Sequence, residues 1–428
     1  MAVPGFPENL DPQQRSQHQL ERLQETLNRA YRSVPFYQAA FKEKNIDPLD
    51  VGCLEDLAKL PFTERRHLAE NYPYGLFAVP LRDIVRIHTA PGEGQAPSVS
   101  GYTAQDLDLW RGLVARALMA AGVNANDIMQ IFLDPGLASW GRGYKDGAEE
   151  LEASVIPLTA LPLEKQQMVL KDYKTSVVVT TPSSAEELCQ GLYAEGIKFN
   201  ELALKTLIFA GEPISQEDRD VIAGKLHVDT WVHYGLSEVP GPAIAFECKA
   251  HEGLHVSEDH FYPEIINPAT GEPAAPGEEG ELVLTTLTTR AFPLIRFRTG
   301  DRVSYIQEPC SCGRTLCRIN WHQERTDNIV VIKGVKVHHA QVMAHISKAL
   351  GFTPTCCRLL AGKKGDRVGL EVWLGMDDTI FSDEIKELEK VVDNVENALI
   401  QELGITARVR LAEGEVECAE PGRREVAP

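Results

Sequence analysis

Nine cysteines stand in the chain, and three of them crowd into Cys310-Ser-Cys312-Gly-Arg-Thr-Leu-Cys317. That spacing invites a metal. Cys310 and Cys312 form one pair, and Cys248 with His255, separated by six residues, forms a second. Three thiolates and one imidazole suit tetrahedral Zn²⁺, and a shell closed by four protein ligands is structural rather than catalytic. Cys317 and His251 are the substitutes if the pairing differs, and free buried thiols are the plain alternative. Four further stretches carry chemistry. Phe209-Ala-Gly-Glu-Pro213 follows an apolar run, and strand ends are where α/β sheets bind ligands; a simple turn would look the same. His233-Tyr-Gly-Leu-Ser-Glu238 places an aromatic ring, a flexible glycine, a hydroxyl and a carboxylate close together. Such a set can stack on a base, approach a phosphate and hold Mg²⁺, or merely end a strand in a capped turn. In Arg296-Phe-Arg-Thr-Gly-Asp301 the aspartate can accept two hydrogen bonds from vicinal sugar hydroxyls, or belong to a surface ion-pair loop. Glu324-Arg-Thr-Asp-Asn328, followed by Lys333-Gly-Val335, reads as a polar linker or a hinge.

The elements that must position these groups fall into three textures. Residues 11–46 read as helix, with Leu20, Leu23, Leu27 and Tyr31 at helical spacing and the run ending at Pro35. From 85 to 225, apolar strands (85–88, 128–133, 154–157, 176–180, 204–210) alternate with helices (104–121, 145–152, 163–172, 184–195, 215–225), the mark of an α/β domain with a parallel sheet. From 240 to 326 strands dominate, at 260–266, 280–285 and 301–305, separated by Pro/Gly turns, as in an antiparallel subdomain. Beyond 329 a β-α-β-α-β order suggests a small α+β domain. A three-part sheet arrangement is expected for residues 1–326.

Composition narrows the function. The chain has 428 residues, 43% hydrophobic and 25% charged, the mix of a globular protein of two or three domains. Lys+Arg number 43 against 62 Asp+Glu, for a net charge of −19. So acidic a chain repels nucleic acid and anionic membrane surfaces. No apolar run approaches the roughly 20 residues that span a bilayer, and the first residues lack the form of a secretory signal. With an odd number of cysteines, this leads us to expect a cytoplasmic protein.

Taken together, in their order and spacing, the four stretches resemble the phenylacetate–CoA ligase branch of the adenylate-forming (AMP-binding) superfamily. The resemblance runs from about residue 15 to 412. It is densest from Tyr234-Gly-Leu-Ser-Glu-Val-Pro-Gly-Pro242, through Gly253-Leu-His255 and Glu258-Asp-His-Phe261, to Pro293-Leu-Ile-Arg-Phe-Arg-Thr-Gly-Asp301. Ser33-Val-Pro-Phe-Tyr37 and Arg86-Ile-His88 with Gly101-Tyr-Thr103 also match. The resemblance implies an AMP-binding domain over 1–326, with a zinc-bearing, strand-rich part at 240–326, and a lid over 327–428 that swings about Asp327. It implies that Ala210, Gly211, Glu212 and Pro213 flank adenine, that Tyr234 stacks on it beside Gly235, and that Ser237 touches the α-phosphate. Glu238 would hold Mg²⁺, Asp301 the ribose, and Arg325 the ribose or phosphate. Trp140 and Tyr144 would line the acid pocket or pack in the core. Some members place zinc at positions matching Cys248, His255, Cys310 and Cys312. The activity implied is conversion of a small aryl acid with ATP to an acyl-adenylate, then attack by coenzyme A; a homodimer is compatible with it.

Three departures touch the ATP-dependent half-reaction. The family's loop reads like Ser-Ser-Gly-Thr-Thr-Gly-Lys-Pro, whereas here Ala90-Pro-Gly-Glu-Gly-Gln-Ala-Pro97 lacks the lysine and carries Glu93. The family's C-terminal lysine is matched only by Arg423, and Glu324 replaces a glycine. A degenerate member that binds AMP or an acyl-thioester without adenylating is the alternative reading. Because the adenosine-facing residues survive, AMP or an acyl-adenylate is expected to bind comparably to or better than ATP.

Overall fold

The computed structural model of the chain describes residues 7–90, 97–157, 162–239, 241–275, 277–327, 329–354, 357–364, 367–376, 380–381, 384–403 and 407–413. Two helices open it, α1 (Pro12–Ser33) and α2 (Pro35–Glu43), followed by the short α3 (Arg65–Glu70). Within the helical stretch 11–46 the first run ends at Pro35 as expected, because Pro35 has no N–H and forces Val34 into extended backbone, φ −116° and ψ 107°, before α2 begins. A hairpin of β1 (Arg86–Ala90) and β2 (Ser98–Tyr102) leads into α4 (Ala104–Ala120). Thr103 and Asp106 close a reciprocal cap there, and Asp106 also accepts from the backbone of Arg290 and Ala291 at 2.7 and 3.1 Å. One side chain thus starts the helix and ties it to a distant loop.

The alternating region follows as β3 (Ile128–Phe132), α5 (Ala138–Glu150), β4 (Ser154–Ile156), α6 (Leu163–Asp172), β5 (Val177–Thr180), α7 (Pro182–Ala194), β6 (Thr206–Ala210), α8 (Gln216–Leu226) and β7 (Asp229–Tyr234). Strands β4-β3-β5-β6-β7 pair in parallel. Their alternation sorts side chains into two layers: Leu207 and Phe209 join one core cluster, and Ile208 and Ala210 the other, against α4 and α5. Then come β8 (Ala245–Glu247), β9 (Leu254–Val256), β10 (Phe261–Ile266), β11 (Glu279–Thr286), β12 (Phe297–Ile306) and β13 (Arg318–Arg325). These pair antiparallel, and β7 joins β8, so all eleven strands form one sheet in the order β10-β11-β12-β13-β9-β8-β7-β6-β5-β3-β4. The expected three-part arrangement is therefore corrected to one continuous sheet plus the β1–β2 hairpin.

The chain closes with β14 (Ile329–Ile332), β15 (Val335–His338), α9 (His339–Leu350), β16 (Cys357–Lys364), β17 (Arg367–Met376), α10 (Ile385–Leu403) and β18 (Ala407–Glu413). Val337, Val342, Ile346, Leu370, Val372, Leu374, Val395 and Leu399 form a third core cluster, drawn wholly from this segment. Among the described residues no helix is long and apolar enough to cross a membrane.

Candidate active site

The carboxyl ends of β5, β6 and β7 point to one edge of the sheet, where open α/β sheets bind ligands. Ala210 is buried and Gly211 turns the chain at φ +88°. The β14–β15 hairpin docks onto this turn. Its two-residue loop, Lys333-Gly334, has φ +48° and +78°, the left-handed pair of a tight hairpin turn. Gly334 donates its N–H to Glu212 Oε1 at 3.1 Å, and Lys333 pairs with Glu187 at 2.8 Å. A Cβ on Gly334 would stand 2.6 Å from Leu137 and 3.3 Å from the Gly211 Cα, so two glycines let two backbones meet.

Beside the turn, three carboxylates and three cations interlock. Asp301 and Arg325 face each other as register partners on β12 and β13 and are hydrogen-bonded. Tyr234, fully buried, donates its hydroxyl to the other Asp301 oxygen at 2.7 Å, and Trp321 meets its ring edge-on. Arg325 Nε reaches Asp327 at 2.7 Å. Gly300 at φ +73° leaves room for them, since a Cβ there would lie 2.0 Å from the Asp327 carboxylate. Arg65, at the start of α3, binds Glu238 Oε1 and Asp327 Oδ2, both at 3.1 Å, and the Thr299 carbonyl at 2.9 Å. Lys336 of β15 reaches Glu238 Oε2 at 3.5 Å. Burial alone would push Glu238 up, but Lys336 and Arg65 outweigh it and hold the carboxyl at about 2. Burial lowers Lys336 to about 8 against the pull of Glu238. A cavity of about 430 Å³ opens alongside, with Arg65, Arg298, Asp327, His338 and His339 in its wall.

Magnesium does not fit Glu238 as the cluster stands, because each carboxylate oxygen already faces a cation. Zinc fits its expected ligands. The donor atoms of Cys248, His255, Cys310 and Cys312 lie within 4.8 Å of one another. Cys248 Sγ stands 3.5 Å from Cys310 Sγ, and Cys312 Sγ 3.5 Å from His255 Nε2. Tetrahedral Zn²⁺ with the usual bond lengths gives edges of about 3.6–3.8 Å. The substitutes lie elsewhere: Cys317 is held by Glu258 through its backbone, and His251 contacts Glu247 and Arg219.

The structure thus brings together Tyr234, Glu238, Asp301 and Arg325, with Ser237 half-exposed and Gly235 packed against Pro242. Glu212 serves the docked hairpin and Ser183. Glu324 is exposed. Trp140 and Tyr144 pack in the core cluster under α4 and α5, where Tyr144 meets His233 Nδ1 at 3.1 Å. Residues 91–96 of the loop and Arg423 lie outside the described residues. Sequence reading missed Arg65 and Lys336, which no motif marks.

Burial lowers His233 to about 4, so it folds neutral. A depressed histidine contributes stability that is complete above about pH 6.5 and is lost as pH falls toward 4. Urea midpoints are expected to fall steeply across that window, and less so in His233→Gln; identical slopes would refute this.

Among curated proteins, the phenylacetate-coenzyme A ligase of Pseudomonas putida is 40% identical over 333 residues, spanning 78% of this chain and 75% of that protein. The enzyme of the same name from Thermus thermophilus is 35% identical over 406 residues, spanning 92% and 91%. That from Escherichia coli is 39% identical over 338 residues, spanning 78% and 77%. The chain belongs to the phenylacetate–CoA ligase family. No family model matches it. Among solved structures, 2-hydroxyisobutyryl-CoA ligase in complex with 2-HIB-AMP and CoA in the thioesterification state matches 100% of this chain and 94% of its own, with TM-score 0.88 and 22% identity. The same ligase in the postadenylation state matches with TM-score 0.70. This phenylacetate–CoA ligase family member therefore has the mixed α/β fold of adenylate-forming CoA ligases.

Proposed function

We propose that the protein is an AMP-forming acid–thiol ligase that activates an aryl acid such as phenylacetate as its acyl-adenylate and transfers the acyl group to coenzyme A. The observation that carries this reading is the Tyr234–Asp301–Arg325 cluster at the sheet edge of a chain 35–40% identical to phenylacetate-coenzyme A ligases. Asp301 receives the ribose hydroxyls. The carboxylate has about four lone-pair sites, and Tyr234 and Arg325 occupy one on each oxygen. Ser237 and the backbone of Ala210 to Pro213 face the phosphate and adenine. A mixed anhydride with AMP is a far better leaving group than hydroxide, which is why the chemistry is split in two.

The lid begins at Asp327, and its rotation alternates the two half-reactions. The third core cluster, confined to residues 330–411, supports a separately packed unit. Cys248, His255, Cys310 and Cys312 hold a structural zinc ion. Labelled pyrophosphate exchange into ATP, run with a panel of aryl acids, tests the reading; no exchange and no thioester with any acid would reject it. Side-by-side calorimetry of AMP and Mg-ATP tests the loop, with AMP expected to bind at least as tightly. ATP binding much tighter than AMP would mean that the altered loop still grips the outer phosphates.

A further inference from the structure

Lys336 differs from the other two cations of the cluster. Arg65 and Arg325 each hold two carboxylates and the Thr299 carbonyl. Lys336, with 15% of its side chain exposed, makes one contact among the described residues, to Glu238 at 3.5 Å. An ammonium has three N–H donors, and burying it with donors unspent is unfavourable unless an acceptor arrives. Glu238 needs no second cation for pairing, because Arg65 already holds it more closely. Lys336 is also placed by the docked hairpin, whose tip is bonded to Glu212 and Glu187. Val335 on one side of it fills the space over Gly136, and Val337 on the other enters the third core cluster. The ammonium therefore reaches the site only when β15 is seated there.

We propose that Lys336 is a catalytic residue of the thioester-forming step: with the hairpin docked, it binds the α-phosphate of the acyl-adenylate and carries the charge that develops on departing AMP. The inference rests on the ligase reading above. Coenzyme A, its thiol proton given up to solvent, attacks the acyl carbon through sulfur. The C–S bond forms, the bond between the acyl carbon and the phosphate oxygen breaks, and the electron pair stays on that oxygen as AMP leaves. Lys336 takes the place of a metal ion, which at Glu238 would stand against two cations, Arg65 and Lys336, already set one on each carboxylate oxygen. Adenylation, which precedes this docking, depends on Lys336 far less.

Chemically prepared phenylacetyl-adenylate and CoA, mixed with the full-length enzyme in single turnover, isolate the step. Lys336→Met is expected to slow thioester formation at saturating CoA about 100-fold, the loss typical of removing one preorganised charge-stabilising donor. KM for CoA should change less than threefold, and pyrophosphate exchange should fall at least tenfold less than the thioester step. Lys336→Arg should recover part of the rate, since it keeps the charge without the point geometry. A raised KM with an unchanged saturated rate would show that Lys336 only helps the hairpin dock, and would overturn the proposal. So would equal losses in both half-reactions. Wild-type protein that makes no thioester would reject the ligase reading itself, whereas an active wild type with an unimpaired Lys336→Met rejects this inference alone.

Discussion

Asp301→Ala is expected to weaken AMP binding by about two to four decades. Two hydrogen bonds from ribose hydroxyls to a carboxylate contribute roughly 1.5–3 kcal/mol each, at about 1.4 kcal/mol per decade. The same carboxylate is the register partner of Arg325 and the acceptor for Tyr234. Its loss leaves a buried guanidinium with Asp327 and the Thr299 carbonyl, and a buried phenol without its partner. Breaking a buried ion pair from one side costs about 3–5 kcal/mol, so urea unfolding should show a loss of that order. Asp301→Asn separates the effects: it keeps the shape and one acceptor, and should fall between wild type and alanine in both assays. Calorimetry showing wild-type AMP affinity in a folded Asp301→Ala protein would remove Asp301 from the nucleotide site.

Tyr234, Glu238, Asp301 and Arg325 were legible in the sequence only together: each lies in a short run that reads equally well as a turn, linker or ion-pair loop, and the order and spacing of the runs carry the family resemblance that singles them out. Arg65 and Lys336 were not. Each is a single basic residue among ordinary neighbours, and their meeting at Glu238 spans 173 and 98 positions of chain. Such long-range convergence leaves no local periodicity to read. The alternating strands and helices were plain from hydrophobic pattern alone. The unity of the sheet was not, because it hangs on two residue pairs, His233 with Phe246 and Tyr234 with Ala245. Strand β13 escaped notice because Arg318-Ile-Asn-Trp-His-Gln-Glu-Arg325 is too polar to resemble a strand; its pairing with β12 and β9 makes it one. Trp140 and Tyr144 show the limit of reading aromatics, since the same side chains suit a pocket wall and a core.

Purified protein is expected to contain about one zinc ion per chain, and removing it should loosen both the strand-rich half and the nucleotide site. The four ligands tie three places together: the end of β8 at Cys248, β9 at His255, and the turn between β12 and β13 at Cys310 and Cys312. His255 is the register partner of Arg318, the first residue of β13, whose last residue is Arg325. A metal held there would therefore set the strand that presents Arg325 to Asp301. Structural zinc contributes about 10–16 kcal/mol to the folding of small zinc-finger peptides. Here sheet pairing and the core share the task, and a loss on the order of 5 kcal/mol is expected. For a domain of this size that lowers Tm by roughly 7 °C. Cys312→Ser should lose the metal, lower Tm and weaken AMP binding together, whereas Cys317→Ser should keep the metal. Elemental analysis finding no metal in the wild-type protein, or a Cys312→Ser variant that keeps its zinc, would refute this assignment of the ligands.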